Sequence, residues 1–312
     1  MSTPPEEGLG RLATEQARED LDRLDLLAPA ELVALMAAES RRAPEAVVAA
    51  QASIAEAVER IAERLARGGR LVYVGAGSAG RLGVLDAAEA GPTFGVEAGV
   101  VTAVIAGGPD ALTRPAEAAE DRADGAVPDL ERLVVGAADA VVGVTASGRT
   151  PFVVGALDWA RGRGALTVAV TCNRGALVSA RADVPIELEV GGEVVAGSTR
   201  LNAATAQKIT LNILSTGVMV LRGRTYGNRM VHLRATNAKL RDRALRTVVE
   251  VTGSSDEAAR AALDASSWEA AVAIAMLAGG VDAPAARAAL DRSGGRLRTA
   301  LEALAEGGSR GG

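Results

Sequence analysis

The sequence predicts an α/β protein: a parallel sheet flanked by helices on both faces, with a small helical C-terminal subdomain. Five short runs rich in β-branched residues recur between residues 71 and 190, separated by helical or loop sequence. Continuous apolar strands alternating with helices belong to a sheet that is buried on both faces. Residues 11–68 instead repeat apolar positions every three or four residues, as do the stretches beyond about residue 250. That is the period of amphipathic helices. With 312 residues, 48% of them apolar and 23% charged, the chain can bury a core and is no disordered polyelectrolyte.

Taken in order, LLAPAELVALMAAES and APEAVVAAQASIAEAVERIAERLARGG read as helical arms, the second closing on Gly68 and Gly69. The predicted strands are LVYVGA (71–76), VVTAVIAGG (100–108), DAVVGVTA (139–146), ALTVAVT (165–171) and VPIELEV (184–190). Ligands of such sheets sit beyond the carboxyl ends of the strands. Residues 199–222 form a long, mostly apolar stretch that reads as a buried helix. Beyond about residue 250 come three helical stretches, each introduced by Ser or Asp and separated by Gly, with Ser255 ahead of Asp256 and Glu257 as an N-cap. The expected organisation is helical arms over 1–68, a ligand-binding core over 69–249 and a helical subdomain over 250–312, ending in a frayed tail.

Composition removes several function classes. A net charge of −5 with 2% aromatic residues offers neither the electrostatics nor the stacking platform of a nucleic-acid binder. One cysteine, Cys172, and one histidine, His232, make no Cys/His metal cluster and no disulfide framework. The polar N-terminus and the lack of about 18 uninterrupted apolar residues argue against a signal peptide or membrane span, so a cytoplasmic protein is expected. Among the basic residues only Lys208 and Lys239 are lysine. Arginine cannot act as a base near neutral pH, which leaves carboxylates as the expected proton carriers.

Three loops at strand-to-helix junctions carry the candidate chemistry. The first strand runs into Gly75, Ala76, Gly77, Ser78, Ala79, Gly80 and Arg81, a GxGxxG string whose glycines allow a tight turn and whose following helix presents free N–H groups to an anion. A dinucleotide would also want an acidic residue at the end of the second strand. Glu97 has the spacing but precedes that strand, and Asp110 has the position but lies further away. On this motif alone, a nucleotide site, another anion site and a purely structural turn all stay open. The second loop, Ser147-Gly148-Arg149-Thr150-Pro151, replaces glycines with hydroxyls and a guanidinium. The third, Gly197-Ser198-Thr199-Arg200, precedes the long apolar helix. N-capping would explain any one of them, but together they suggest a small, phosphorylated, hydroxyl-rich ligand.

Asp86 and Glu89 lie three apart on the helix after the glycine loop, and Glu89 has the small neighbours Ala87, Ala88, Ala90 and Gly91. Burial there would raise its pKa and let it exchange protons near neutrality, whereas a solvated helix face would leave it inert. Glu117, Glu120 and Asp121 follow the second strand on a helical run that reads as an acidic face. His232 is expected to pack or hydrogen-bond, and Cys172 to be a buried apolar side chain.

The segments LVYVGAGSAGRLGVLDAAEAGPTFGV, VVGVTASGRTPFVVGAL, VVAGSTRLNAATAQKITLNILSTGVMV and GNRMVHLRATNAKL resemble the N-acetylmuramic acid 6-phosphate etherases, a family of the sugar isomerase (SIS) fold. The likeness runs from Thr14-Glu15-Gln16 to the C-terminal helices. It implies a cytoplasmic homodimeric lyase of cell-wall recycling that needs no cofactor or metal and has its site at the carboxyl edge of the sheet, completed across the dimer interface. Such a lyase cleaves the D-lactyl ether of N-acetylmuramic acid 6-phosphate to N-acetylglucosamine 6-phosphate and D-lactate. The family's acid/base glutamates fall on Glu89, for lactate departure or water addition, and on Glu120, for the C2 proton. Gly77, Ser78, Thr145, Ser147, Gly148, Arg149, Thr150, Ser198 and Thr199 would hold the phosphate and the sugar hydroxyls. Relative to the family pattern, Ser78-Ala79 has one hydroxyl fewer, Arg174 replaces a proline, Asn202 a lysine and His232 an aspartate. The glucokinase regulatory protein shares the fold without the enzymatic role and supplies a non-catalytic alternative; a Rossmann-type nicotinamide oxidoreductase is the third candidate.

Overall fold

The computed structural model describes residues 10, 12–233 and 235–308. Two compact units divide them. The first comprises the described residues through Ala88 together with Gly99–Ser215, and the second Glu89–Ala98 with the residues from Thr216 onward.

The first unit holds the predicted parallel sheet. Its strands are β1 (Leu71–Gly75), β2 (Val101–Ile105), β3 (Ala140–Val144), β4 (Leu166–Thr171) and β5 (Val184–Glu187), in the order β2-β1-β3-β4-β5. Leu71 to Gly75 pair with Val101 to Ile105 on one side and with Ala140 to Val144 on the other. The connections leaving β1, towards β2, and β3, towards β4, therefore run in opposite directions, which opens a crevice beyond the carboxyl ends of β1 and β3. The helices are α1 (Pro29–Glu39), α2 (Arg42–Ala49), α3 (Gln51–Ala66), the one-turn α5 (Glu117–Glu120), α6 (Val127–Arg132) and α7 (Pro151–Gly162). Two longer ones, α4 (Gly77–Phe94) and α8 (Asn202–Leu221), begin here and run on into residues of the second unit. All residues of β1, β3 and β4 are buried, as both-face coverage requires. The strands stop short of the apolar runs that predicted them, because the chain turns into the site loops at Gly75 and Val144.

A buried polar network ties β1 to α4 and α8. The Tyr73 hydroxyl donates to Asp86 Oδ2 at 2.8 Å, while Asn212 Nδ2 and Ser215 Oγ each donate to Asp86 Oδ1 at 3.1 Å. Burial, and then the Asp86 charge, hold the Tyr73 pKa well above its ordinary value, so the phenol stays a donor. Asp86 is 3% exposed, and its carboxylate is taken up by these three donors.

The start of α8 is held by Glu193, which is 1% exposed and accepts from the N–H groups of Asn202 at 3.0 Å and Ala203 at 2.9 Å. A carboxylate on the first free amides of a helix satisfies them and complements the dipole. Glu193→Ala would leave both amides buried and unpaired. It is expected to cost about 2–4 kcal/mol, read as a lower midpoint in urea with unchanged slope.

The second unit contains a short hairpin of β6 (Thr225–Tyr226) and β7 (Arg229–Met230) and the helices α9 (Ala238–Thr252), α10 (Asp256–Ala265), α11 (Ala270–Gly279), α12 (Ala283–Arg292) and α13 (Leu297–Gly308). The first six residues of α11 are all buried, and its alanines let Leu263, Leu290 and Leu297 close around it. Ser255 caps α10 as expected, its Oγ accepting from Ala258 N at 3.2 Å. One predicted stretch is two helices, since Gly294 and Gly295 adopt positive φ between α12 and α13. Among the described residues no single helix is long and apolar enough to cross a membrane.

Candidate active site

The GxGxxG string is built by close approach. A side chain on Gly80 would lie 2.7 Å from both Gly75 O and Ile105 Cγ1, so only glycine lets α4 start this near the sheet. Gly77, with φ of +51°, opens α4, and Ser78 follows in its first turn.

Beyond β3 the hydroxyls form a cluster. Thr145 Oγ1 and Thr150 Oγ1 are 2.7 Å apart, Ser147 Oγ accepts from Arg149 N at 3.2 Å, and Gly148 N donates to Thr145 Oγ1 at 3.3 Å. Gly148 has φ of +73°, and a Cβ there would sit 2.3 Å from Ala176 Cβ. Thr150, the residue before α7, makes no side-chain cap on that helix; its hydroxyl is held by Thr145 instead.

The two loops enclose a cavity of about 210 Å³ at the carboxyl ends of β1 and β3. Of the predicted residues, Gly77, Ser78, Thr145, Ser147, Thr150, Thr199 and Glu120 line it. Gly148, Arg149 and Ser198 belong to the same loops but are not in its lining. Glu120, the last residue of α5, is half-buried and brings a carboxylate to a wall rich in hydroxyls and backbone. Of the two placements its sequence left open, Glu89 takes the solvated one. It is exposed on α4, and beside it Ala88 is exposed as well, so alanine-rich sequence did not mean burial here.

Two lining residues escaped the sequence reading. Glu15 lies in a short 3-10 turn, Ala13–Glu15, anchored where Asn173 Nδ2 donates to Thr14 Oγ1 at 3.1 Å and Gly197 N to Thr14 O at 3.2 Å. Its signal was the Thr14-Glu15-Gln16 string. Gln207, on the second turn of α8, is 1% exposed and had no local signal beyond an apolar helix.

Cys172 is buried against Ala203 O, and burial followed by the Glu193 charge pushes its thiol far up, which leaves it inert. His232 lies in the second unit, with Nε2 2.9 Å from Gly295 O, in the wall of a separate cavity of about 600 Å³. Burial, and then Arg224, lower its pKa despite the opposing pull of Glu269, so the neutral ring donates to the carbonyl. The unfolded chain then binds this proton more readily than the folded one. His232 should contribute full stability above its unfolded pKa of about 6.5 and lose it as the pH falls below that value. His232→Gln is expected to flatten that part of a Tm-versus-pH profile.

Comparison with known proteins adds the family. The sequence model of the glucokinase regulatory protein N-terminal SIS domain matches residues 53–161, and that of a UBA-like domain matches residues 242–276, which run from α9 into α11. An N-acetylmuramic acid 6-phosphate etherase of Rubrobacter xylanophilus is 56% identical over 276 residues, 88% of this chain and 92% of that protein. Etherases of Mycolicibacterium smegmatis and Cronobacter sakazakii are 51% and 47% identical over 275 residues, each 88% of this chain and 92% and 93% of theirs. The chain belongs to the N-acetylmuramic acid 6-phosphate etherase family. Among solved structures, a phosphoheptose isomerase from Francisella tularensis aligns with a TM-score of 0.49 at 16% identity, over 62% of this chain and 100% of that one. Set against the etherase pattern, Ala79 is buried in the cavity wall, Asn202 is buried at the start of α8, and Arg174 is exposed.

Proposed function

We propose that the protein is a lyase that converts N-acetylmuramic acid 6-phosphate and water to N-acetylglucosamine 6-phosphate and D-lactate. The observation that carries this reading is the hydroxyl-lined cavity with Glu120 in its wall, in a chain 47–56% identical to etherases over 88% of its length. The first turn of α4 and the hydroxyls of Ser147 and Thr150 suit a phosphate, as free amides and hydroxyls at helix starts do. In the open-chain sugar the aldehyde acidifies the C2 proton. Glu120 removes it, the C3–O bond breaks, and the departing lactate oxygen takes a proton from Glu89. Water then adds at C3, giving its proton back to Glu89, and Glu120 returns the C2 proton.

Glu89 fits this scheme on a second copy of the chain. Glu89 is exposed in the single chain and is not among the residues that line the cavity. An exposed Glu89 in one copy would then be covered by the sugar held in the other. The helical arms supply apolar surface for such a homodimer: no residue of α1 is buried, and Leu26, Val33, Met36 and Val48 are exposed. A place in the cytoplasm, in recycling of cell-wall amino sugars, follows from the same reading, as does assignment of residues 69–249 to the phosphosugar-binding core.

The test is D-lactate release from N-acetylmuramic acid 6-phosphate by the intact protein in deuterated water. Lactate in amounts matching the sugar product, with deuterium at C2 of that product, is expected. Sugar-phosphate binding without lactate would instead favour a regulatory protein, the reading that the match to the glucokinase regulatory protein SIS domain supports.

A further inference from the structure

Among the described residues, Gln207 Nε2 is the one buried side-chain nitrogen or oxygen without a hydrogen-bond partner. Its neighbours on α8 are committed to the fold. Thr205 and Thr210 donate to Leu201 O and Ala206 O, and Lys208 donates to Asn212. An unpaired buried amide is unfavourable, and such groups are uncommon enough in folded proteins that each calls for a reason. Gln207 lines the same cavity as Glu120 and Thr199. Around it the buried helix face consists of Ala203, Ala206 and Leu211 with Thr210, whose hydroxyl is already taken by Ala206 O, so no fold partner on α8 accounts for the Gln207 amide.

We infer that Gln207 is a substrate-binding residue whose Nε2–H donates to a neutral oxygen, a hydroxyl or amide carbonyl, of the bound amino-sugar phosphate. This rests on the sugar-phosphate reading above and adds to it the group that holds the uncharged part of the ligand. The phosphate has better partners in the first turn of α4 and the hydroxyls beyond β3. A carboxamide carries two N–H donors and no charge, which suits a neutral oxygen. The amide goes unpaired without ligand and is satisfied with it, so its contribution appears as affinity and not as stability.

The test compares wild type with Gln207→Met, which has similar length and no polar atom, and Gln207→Glu, which keeps the amide's shape but replaces its donors. Three quantities are read on the full chain: Tm without ligand, the Tm shift on adding N-acetylglucosamine 6-phosphate, and the KM and kcat for D-lactate release. The methionine variant should melt at or above wild type, lose most of the ligand shift and raise KM about tenfold with a smaller change in kcat. A methionine variant that melts lower but keeps the wild-type KM and ligand shift would make the amide structural and overturn the inference. If that variant does not fold, a wild-type ligand shift in Gln207→Glu overturns it as well. Wild-type protein that shifts with the sugar phosphate but releases no lactate overturns only the lyase reading; wild-type protein that shows no shift overturns both.

Discussion

Glu120→Gln is expected to cut D-lactate release by about a thousandfold or more while leaving fold and sugar-phosphate binding in place. The amide matches the carboxylate in shape and keeps a polar wall to the cavity, but it cannot take the C2 proton. General-base catalysis of this kind contributes about 10²- to 10⁴-fold. A loss confined to kcat separates this role from simple binding, which would raise KM with kcat preserved. Deuterium exchange at C2 of the product should disappear in the same variant. Persistence of that exchange would move the base elsewhere.

Asp86→Ala is expected to give the largest loss of stability of any single change considered for the first unit, about 3–5 kcal/mol, lowering Tm by about 6–15 °C. The carboxylate is 3% exposed and is the acceptor for Tyr73, Asn212 and Ser215. Removing it takes the short acceptor from the buried Tyr73 and Ser215 hydroxyls and from the half-buried Asn212 amide, and the two hydroxyls keep only the longer contacts to Leu211 O and Asn212 O. Asp86→Asn keeps the shape and one acceptor, so it should fall between alanine and wild type. Asp86→Ala alongside Tyr73→Phe should cost less than the two separate losses added together, because no phenol would be left without its short acceptor.

Much of this architecture was legible from local patterning. The strands announced themselves because both faces of a parallel sheet are buried, so Leu71–Gly75 and Ala140–Val144 could be apolar throughout. The glycine turn and the Ser147–Thr150 loop were legible because tight turns and helix starts demand particular residue types over a few positions. Features set by distant packing were not. Glu193 caps a helix that begins nine residues later, and nothing near it in sequence marks it as buried. Gln207 is polar in an apolar helix, and its unpaired state depends on what the surrounding elements fail to offer. Glu89 shows the converse: its alanine neighbours left an interior position open, yet α4 turns that face outward in the single chain. The break between α12 and α13 was written in Gly294 and Gly295, whose positive φ no helix continues.

The central claim is that the sugar sits in the cavity of one chain and is worked on by Glu120 of that chain and Glu89 of a second. Glu89→Gln and Glu120→Gln chains, each inactive alone, can be unfolded, mixed in equal amounts and refolded, and D-lactate release then measured. Random pairing makes half of the symmetric dimers hybrids, each with one fully wild-type site, so about a quarter of wild-type activity should return. If the mixture forms dimers and remains as inactive as its components, the two glutamates serve the same chain or no shared site, and the account is contradicted.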